Sequence, residues 1–473
     1  SGRFFNVEFE GVVGETGVNC GGIASVVDGR IWTAEEYLIP NNAALFNTGY
    51  GAGLRDTSDW TIRTDLSGDF NGTSIRRYQN FNWMVEIDPR EAVALRKQYN
   101  WGRQSFEGGV VLPDNRTVLI CEDDTPGLLT KFVADQAGDF TRGKTFVYRQ
   151  HENGTSGAWI EIDNRRLDNM LRMKELALEA GATMFNRLEW AVYEKNTGRV
   201  FISETGRDEA GTKFAVGKSK GGTLAWHHRQ RATRMNLTAD SPDYVDYYGR
   251  VLVFDPATDD IKPFLEGGPD LPHEPSAFQY PNNHLSNPDA LALLYTQGKT
   301  YLVICEDLNG HSMGRVPRYV SNTTCEVYLL DLARQPSVEN LQRIAVMPQG
   351  AEATGACTTP DGKTLLLNVQ HPDAGNPFPY NNALTIALTG FDRLPANYFP
   401  VAPAESGSSW LVYDAAAREL RTSTSGDLAL YTAAGKRVRL LRRTHVLPLN
   451  DLPAGPYIVA NERGQHQAIE IKP

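Results

Sequence analysis

Five stretches of the chain share one grammar. DGRIWTAEE (28–36), DNRTVLICEDD (114–124), TGRVFISETGRD (197–208), GKTYLVICEDLNG (298–310) and DGKTLLLNVQHP (361–372) each pass from a tight Gly or Asn turn, through a β-rich run, into polar residues. Each reads as the second strand of a hairpin whose far end carries functional groups. Partner strands precede several of the turns, in FEGGVVLPD, LEWAVYEKN and EATGACTTPD. Hairpins recurring roughly every 60 to 100 residues predict an all-β chain, a β-propeller of six blades with loop and helical insertions. In such a fold inner strand ends converge on one axial pocket, so acids far apart in sequence can meet there.

Other segments fit as additions to this plan. YGRVLVFDPATDDIKPF (248–264) predicts strand, turn, strand, and DNRRLDNMLRMKELALEAGAT (163–183) predicts an inserted helix with Leu167, Leu171 and Leu178 facing the core. FPVAPAESGSS (399–409) reads as a linker. The alternating short strands beyond it predict a small β-sandwich, giving a catalytic propeller over 1–400 and an accessory domain over 401–473.

The 473 residues include 57 Asp and Glu against 47 Lys and Arg, a net charge of −10. This argues against a nucleic-acid binder working through a broad basic face, and it means that an anionic substrate must be met by local arginines or metals. No run approaches the roughly 18 apolar residues of a membrane span, and the opening segment carries no basic, apolar leader, so the chain reads as soluble and already processed. Its five cysteines are too few for a disulfide scaffold and odd in number, leaving at least one thiol unpaired.

Short catalytic signatures mostly fail. GKSKG (217–221) matches a serine nucleophile elbow, but GTLAWHHRQR after it shows no clear helix start. GTKFAVGKS (211–219) has five residues between its glycines where a phosphate loop needs four. DLSGDFNGTS (65–74) resembles a calcium loop but has Tyr78 where a bidentate Glu belongs. His227 and His228 are adjacent and, on a strand, point opposite ways, which with no HExxH pair disfavours a zinc hydrolase. What remains is a distributed set of acids and one thiol: Cys20 in NCGG, Glu35 and Glu36 in AEE, Glu107 in FEGG, Glu189 beside Arg187 in NRLEW, Asp289 in NPDA and Glu352 in EATG.

These motifs, in this order and ending in EATGACTTPDGKTLLLNVQHP, resemble the PhoX-type alkaline phosphatases, a propeller family with iron and calcium. The resemblance covers roughly residues 15–375, with Phe106 where the family has His and Leu188 where it has Pro. It implies that Cys20 is a thiolate ligand of ferric iron (Fe3+), that Glu107, Glu189, Asp289 and Glu352 ligate iron or calcium (Ca2+), that Glu35 and Glu36 are calcium-side acids, and that Arg187 holds the phosphate. The implied substrates are small phosphate monoesters. Two other readings stay open: a calcium-dependent propeller hydrolase of another class, such as a phosphodiesterase or lactonase, and a non-catalytic metal-stabilised surface protein. The tail sequence LPLNDLPAGPYIV (447–459) is similar to sorting domains of the type IX secretion system. It implies export to the cell surface or medium, with secretion machinery as a partner.

Overall fold

The computed structural model describes residues 7–9, 11–36, 58–63, 70–207, 209–268, 270, 285–307, 324–393, 411–414, 417–432, 437–461 and 466–471. The linker read at 399–409 and the first half of the calcium-loop-like segment lie outside these residues. The chain divides into two compact units, Ser1–Asp392 and Arg393–Pro473.

The first unit is a β-propeller. Its antiparallel sheets follow one another along the chain: Asn19–Ala24, Ile31–Glu35, Met84–Asp88 and Val93–Lys97; then Phe106–Val111, Thr117–Glu122, Leu129–Gln136, Asp139–Gln150 and Gly157–Ile162; then Leu188–Glu194, Arg199–Glu204, Arg250–Asp255 and Asp260–Glu266; then Pro288–Thr296, Lys299–Glu306, Glu326–Asp331 and Leu341–Val346; then Glu352–Thr358, Thr364–Gln370 and Leu384–Thr389. The first strand of each sheet packs on the first strand of the next, so these strands are innermost. Six blades are expected from the sequence; the described residues hold five such sheets.

The second, third and fourth blades are covered on both faces, which is why their second strands are continuous buried apolar runs, whereas the strands of the fifth alternate buried with exposed positions. Alternation sends Val118 and Ile120 to the first blade, where they meet Ile23, Trp32 and Ala34, and sends Leu119 and Cys121 to the third, where they meet Leu188, Val200 and Ile202. Val251, Leu291, Leu302 and Ile304 fill the next seam. Truncating one of these side chains to Ala is expected to cost about 2–5 kcal/mol.

The insertion at 163–183 is two short helices, Leu167–Leu171 and Met173–Glu179, broken at Arg172. Met170, Met173, Ala177 and Leu178 are buried, while Leu167 and Leu171 are partly so. Residues of the two rejected glycine motifs form the helix Ala210–Ser219. A further helix, Trp226–Arg234, begins where the sequence shows no start. The reason is its cap: the Trp226 N–H donates to Oε1 of Gln150, 76 residues away, at 2.6 Å, so no local Ser, Thr or Asp marks the terminus.

The second unit is a single five-stranded sheet. Its long strand Glu419–Thr432 pairs first with Leu411–Asp414 and then with Gly455–Asn461, with Arg437–Pro448 alongside. Leu420, Leu430, Leu447, Val459 and Ile471 share one core, the function expected of a sandwich, although the strands are hydrogen-bonded as one sheet.

Candidate active site

Four blades begin with one register. Asn19 pairs with Glu35, Phe106 with Glu122, Leu188 with Glu204 and Pro288 with Glu306; one extra residue on the inner strand follows before pairing resumes. Such a bulge re-aims the side chains within it. The first residue of the four bulges is Cys20, Glu107, Glu189 and Asp289, so a repeated backbone device places these groups. In the fifth blade Glu352 pairs with Gln370 at the strand start. The glycines of NCGG and FEGG let the inner strands approach: a Cβ on Gly21 would lie 2.4 Å from the Glu107 carbonyl oxygen, and one on Gly108 would lie 3.0 Å from that of Glu189.

In the first, second and fourth blades the second strand ends in two acids with separate jobs. The first acid ties backbone. Glu306 accepts the N–H groups of Ser286 and Glu326 at 2.9 Å each, and Glu122 accepts that of Leu128 at 3.1 Å. Glu35 accepts the N–H groups of Gly17 and Trp83 and lies 2.9 Å from Lys97 Nζ, with both side chains fully buried. The residue after it, in contrast, turns toward the axis: Glu36, Asp123 and Asp307.

Three groups of ligand atoms result, each within 4.8 Å, the first two sharing Glu107: Cys20, Glu36 and Glu107; Glu107, Asp123 and Glu189; Asp289, Asp307 and Glu352. The structure thus brings together every sequence-derived candidate except Glu35, whose oxygens are taken by Lys97 and backbone. Asp123 and Asp307 were not among the candidates and belong to the cluster. Arg187 joins the second and third groups. Its Nε and Nη2 donate to the two oxygens of Asp123 at 2.8 and 3.2 Å, and Nη2 lies 3.0 Å from Glu189 and 3.4 Å from Asp307. Burial opposes the charge on this guanidinium, but Asp123, Glu189 and Asp307 hold it firmly protonated.

The acids have too few partners. Burial and then neighbouring carboxylates push Glu36 up to about 10, Glu107 to about 7 and Glu352 to about 8, and hold Glu189 and Asp289 well above the usual carboxylate range. Burial, with Glu107, Glu36 and Asp289, pushes the Cys20 thiol up as well. Oδ1 of Asp289 and Oε1 of Glu352 are buried without a hydrogen-bond partner, as is Nη1 of Arg187, and Oε1 of Glu189 has only its ion pair with Arg187. Orphaned oxygens crowded around one guanidinium are costly unless cations enter, and a donor set of carboxylates plus one thiolate suits hard cations with one ion able to take sulfur.

A propeller whose axis gathers acids, a thiol and a buried arginine defines a metal-dependent hydrolase of anionic substrates. The comparisons narrow this class. The sequence profile of the family described as alkaline phosphatase PhoX matches residues 7–373, and the chain belongs to that family. It is accordingly a metal-dependent phosphatase, a phosphoric monoester hydrolase. Among solved structures it is similar to Pseudomonas fluorescens PhoX in complex with vanadate, a transition-state analogue, at 19% identity and TM-score 0.57 over 79% of this chain and 70% of that one. Fainter likenesses, which carry no argument, are to gluconolactonases: XC5397 of Xanthomonas campestris (11% identity, 72% and 75% covered, TM-score 0.30) and periplasmic PpgL of Pseudomonas aeruginosa (11%, 82% and 95%, 0.29). Among curated proteins, none matches the sequence.

Proposed function

We propose that the axial cluster holds ferric iron and calcium and that Arg187 binds the phosphoryl group of a small monoester. The ligands we assign are Cys20, Glu36, Glu107, Glu189, Asp289 and Glu352, read from sequence, together with Asp123 and Asp307, a set supported by their lying within 4.8 Å of one another in groups of three, while the ion pair with Lys97 argues against Glu35. When bound, these metals supply the positive charge that offsets the phosphoryl oxygens and generates an oxygen nucleophile. The chain's own part is orientation. Asp123 grips Arg187 through two of its nitrogens, which fixes the plane of the guanidinium, and the unpartnered Nη1 is the donor left for a phosphoryl oxygen. That contact strengthens as charge builds on the transferred group. The single observation carrying this reading is the set of buried carboxylate oxygens without partners around an arginine with one free donor.

Arg187→Ala tests it. Metal content is expected to stay, because Arg187 binds no cation, while kcat/KM falls by about 2–4 kcal/mol of transition-state stabilisation, and Arg187→Lys recovers part of the loss. Metal analysis and phosphomonoester kinetics on the same preparations check it; full activity in Arg187→Ala with metals retained overturns the clamp. We further propose that the segment 401–473 serves export, the propeller domain ending at 400. Supporting this, the LPLNDLPAGPYIV segment supplies buried Leu447, Leu449, Tyr457 and Val459 to the core of its own unit. Cell fractionation with and without residues 401–473 tests it, and unchanged distribution counts against it.

A further inference from the structure

We infer that Glu204, held by His227 and His228, is a positioning residue for Arg187, acting through the backbone at Asn186. For its effect on catalysis the inference rests on the phosphate-clamp reading above.

Arg187 has φ +63°, in the left-handed region that costs a non-glycine residue about 1–3 kcal/mol unless its surroundings enforce it. The same place in the first and fourth blades is also left-handed, at Val18 (φ +49°) and Asn287 (φ +50°). In all three blades the acid that ends the second strand accepts the N–H just before this residue: Glu35 from Gly17, Glu306 from Ser286, and Glu204 from Asn186 at 2.8 Å. The carboxylate is therefore part of what holds the strained turn. Further bonds complete the grip on Arg187: its N–H donates to the Asp124 carbonyl at 3.0 Å, and its carbonyl accepts from Thr205 at 2.9 Å.

The third blade departs from the others at the second oxygen. Glu35 and Glu306 use theirs to accept a backbone N–H of the third strand, from Trp83 at 3.0 Å and Glu326 at 2.9 Å. Oε2 of Glu204 instead meets Nε2 of His227 at 2.8 Å and the Arg250 guanidinium, while Nε2 of His228 meets Oε1 at 2.9 Å. Nδ1 of His228 in turn bonds the Tyr244 hydroxyl at 2.8 Å. Both histidines lie on the Trp226–Arg234 helix, so an insertion outside the sheet reaches the backbone that carries the arginine. The sequence expectation that these neighbours point apart fails because they are helical, where successive side chains both reach one carboxylate.

The three residues also have the spacing of a metal site. Charge argues against a cation there. Arg250 bridges Glu204 and Asp246, lying 2.9 and 2.6 Å from the oxygens of Asp246, and Arg231 lies 3.4 Å from Asp246. Both oxygens of Glu204 are hydrogen-bonded, whereas Oδ1 of Asp289 and Oε1 of Glu352 on the axis have no hydrogen-bond partner.

Glu204→Gln, Arg187→Ala and the double variant decide the matter, with metal content measured on each and amide exchange followed across residues 183–190, residues 104–109 serving as control. Glu204→Gln is expected to keep its metals, to exchange faster at 183–190 alone, and to lose about 10- to 100-fold in kcat/KM. Added to Arg187→Ala, it is expected to cost no further activity. If Arg187→Ala is impaired and Glu204→Gln removes its full factor again from the residual activity of the double variant, or if exchange at 183–190 is unchanged, positioning is overturned. If Arg187→Ala keeps full activity while exchange still rises in Glu204→Gln, the clamp fails and the backbone role stands. Should Glu204→Gln not fold, His227→Gln and His228→Gln carry the same comparison, each expected to raise exchange at 183–190.

Discussion

Two buried clusters of carboxylates among the described residues differ in everything except burial. Around Glu204, the carboxylates of Asp246 and Glu266 share Arg250 and Arg231 with two histidines. There burial opposes ionisation, but the histidine and arginine neighbours win: Glu204 is held well below the usual carboxylate range, Asp246 falls to about 2 and Glu266 is lowered. On the axis, Glu36, Glu107, Glu189, Asp289 and Glu352 are all shifted upward, because one guanidinium cannot offset them. Desolvation is common to both, so partners decide the sign. The first cluster is complete as folded, whereas the second is built for cations that the chain itself does not provide.

Metal removal breaks this contrast with the largest effect. Chelation of the bound metals, proposed above to be iron and calcium, is expected to abolish phosphatase activity and to leave a fold whose stability depends on pH in an unusual direction. Glu107, Glu352 and Glu36 retain protons up to about 7, 8 and 10, against an ordinary value of 4.5. A group with a raised folded value stabilises the fold fully below its unfolded value and loses that contribution as pH rises through the folded one. The metal-free protein should therefore melt at progressively lower temperature from about pH 4.5 to pH 10, and metal uptake should release protons and tighten with pH. Thermal melts of stripped and loaded protein across this range check it; a stripped protein whose melting temperature rises over the same interval refutes it.

The opposite cluster is broken by Arg250→Met. Removing one partner from a buried ion-pair network typically costs about 3–5 kcal/mol, because the carboxylates of Glu204 and Asp246 are left charged and dry. In the native protein Asp246, lowered to about 2 from 3.8, contributes stability that is present above pH 3.8 and fades as pH falls toward 2. The variant is expected to lose that acid sensitivity together with the stability, while the folded fraction keeps its axial metals. Denaturant titration at pH 3 and pH 7 measures both, and an unchanged midpoint at pH 7 contradicts the assignment.

Much of this was legible in the chain. The hairpin grammar marked the second strands of all five described blades, and the residues before the glycine pairs marked two of the bulge positions. Asp123 and Asp307 were missed although ICEDD and ICEDL both display them, because a run of two acids does not say which one ends the ladder and which turns inward. The signal was present in the repeat: aligning Glu35–Glu36, Glu122–Asp123 and Glu306–Asp307 puts the second acid of each pair in one structural place. His227 and His228 were misread for a different reason, since the helix carrying them is capped by Gln150 from a distant strand, a tertiary cue with no local trace.

The pair Glu35 and Glu36 offers the smallest and sharpest test, since two adjacent acids sit on opposite sides of the contrast. Glu35 lies 2.9 Å from Lys97 Nζ, so Glu35→Gln removes the carboxylate partner of a fully buried lysine and is expected to cost about 1–3 kcal/mol with metal content unaltered. Glu36 is different. In the metal-free protein its carboxyl, pushed up to about 10, is already neutral at pH 7, and a glutamine is nearly its isostere. Folding must therefore protonate this carboxyl at pH 7, a cost that a glutamine does not carry, so Glu36→Gln should raise metal-free stability at pH 7, and the gain should shrink as pH falls toward 4.5. Once metals are supplied, the same substitution has removed an anionic oxygen donor, and metal content and the stabilisation that metals bring should both fall. Melting with and without added iron and calcium separates the two variants: equal metal uptake by Glu36→Gln and the unaltered protein would move Glu36 from the cation side of the site to the structural side now held by Glu35.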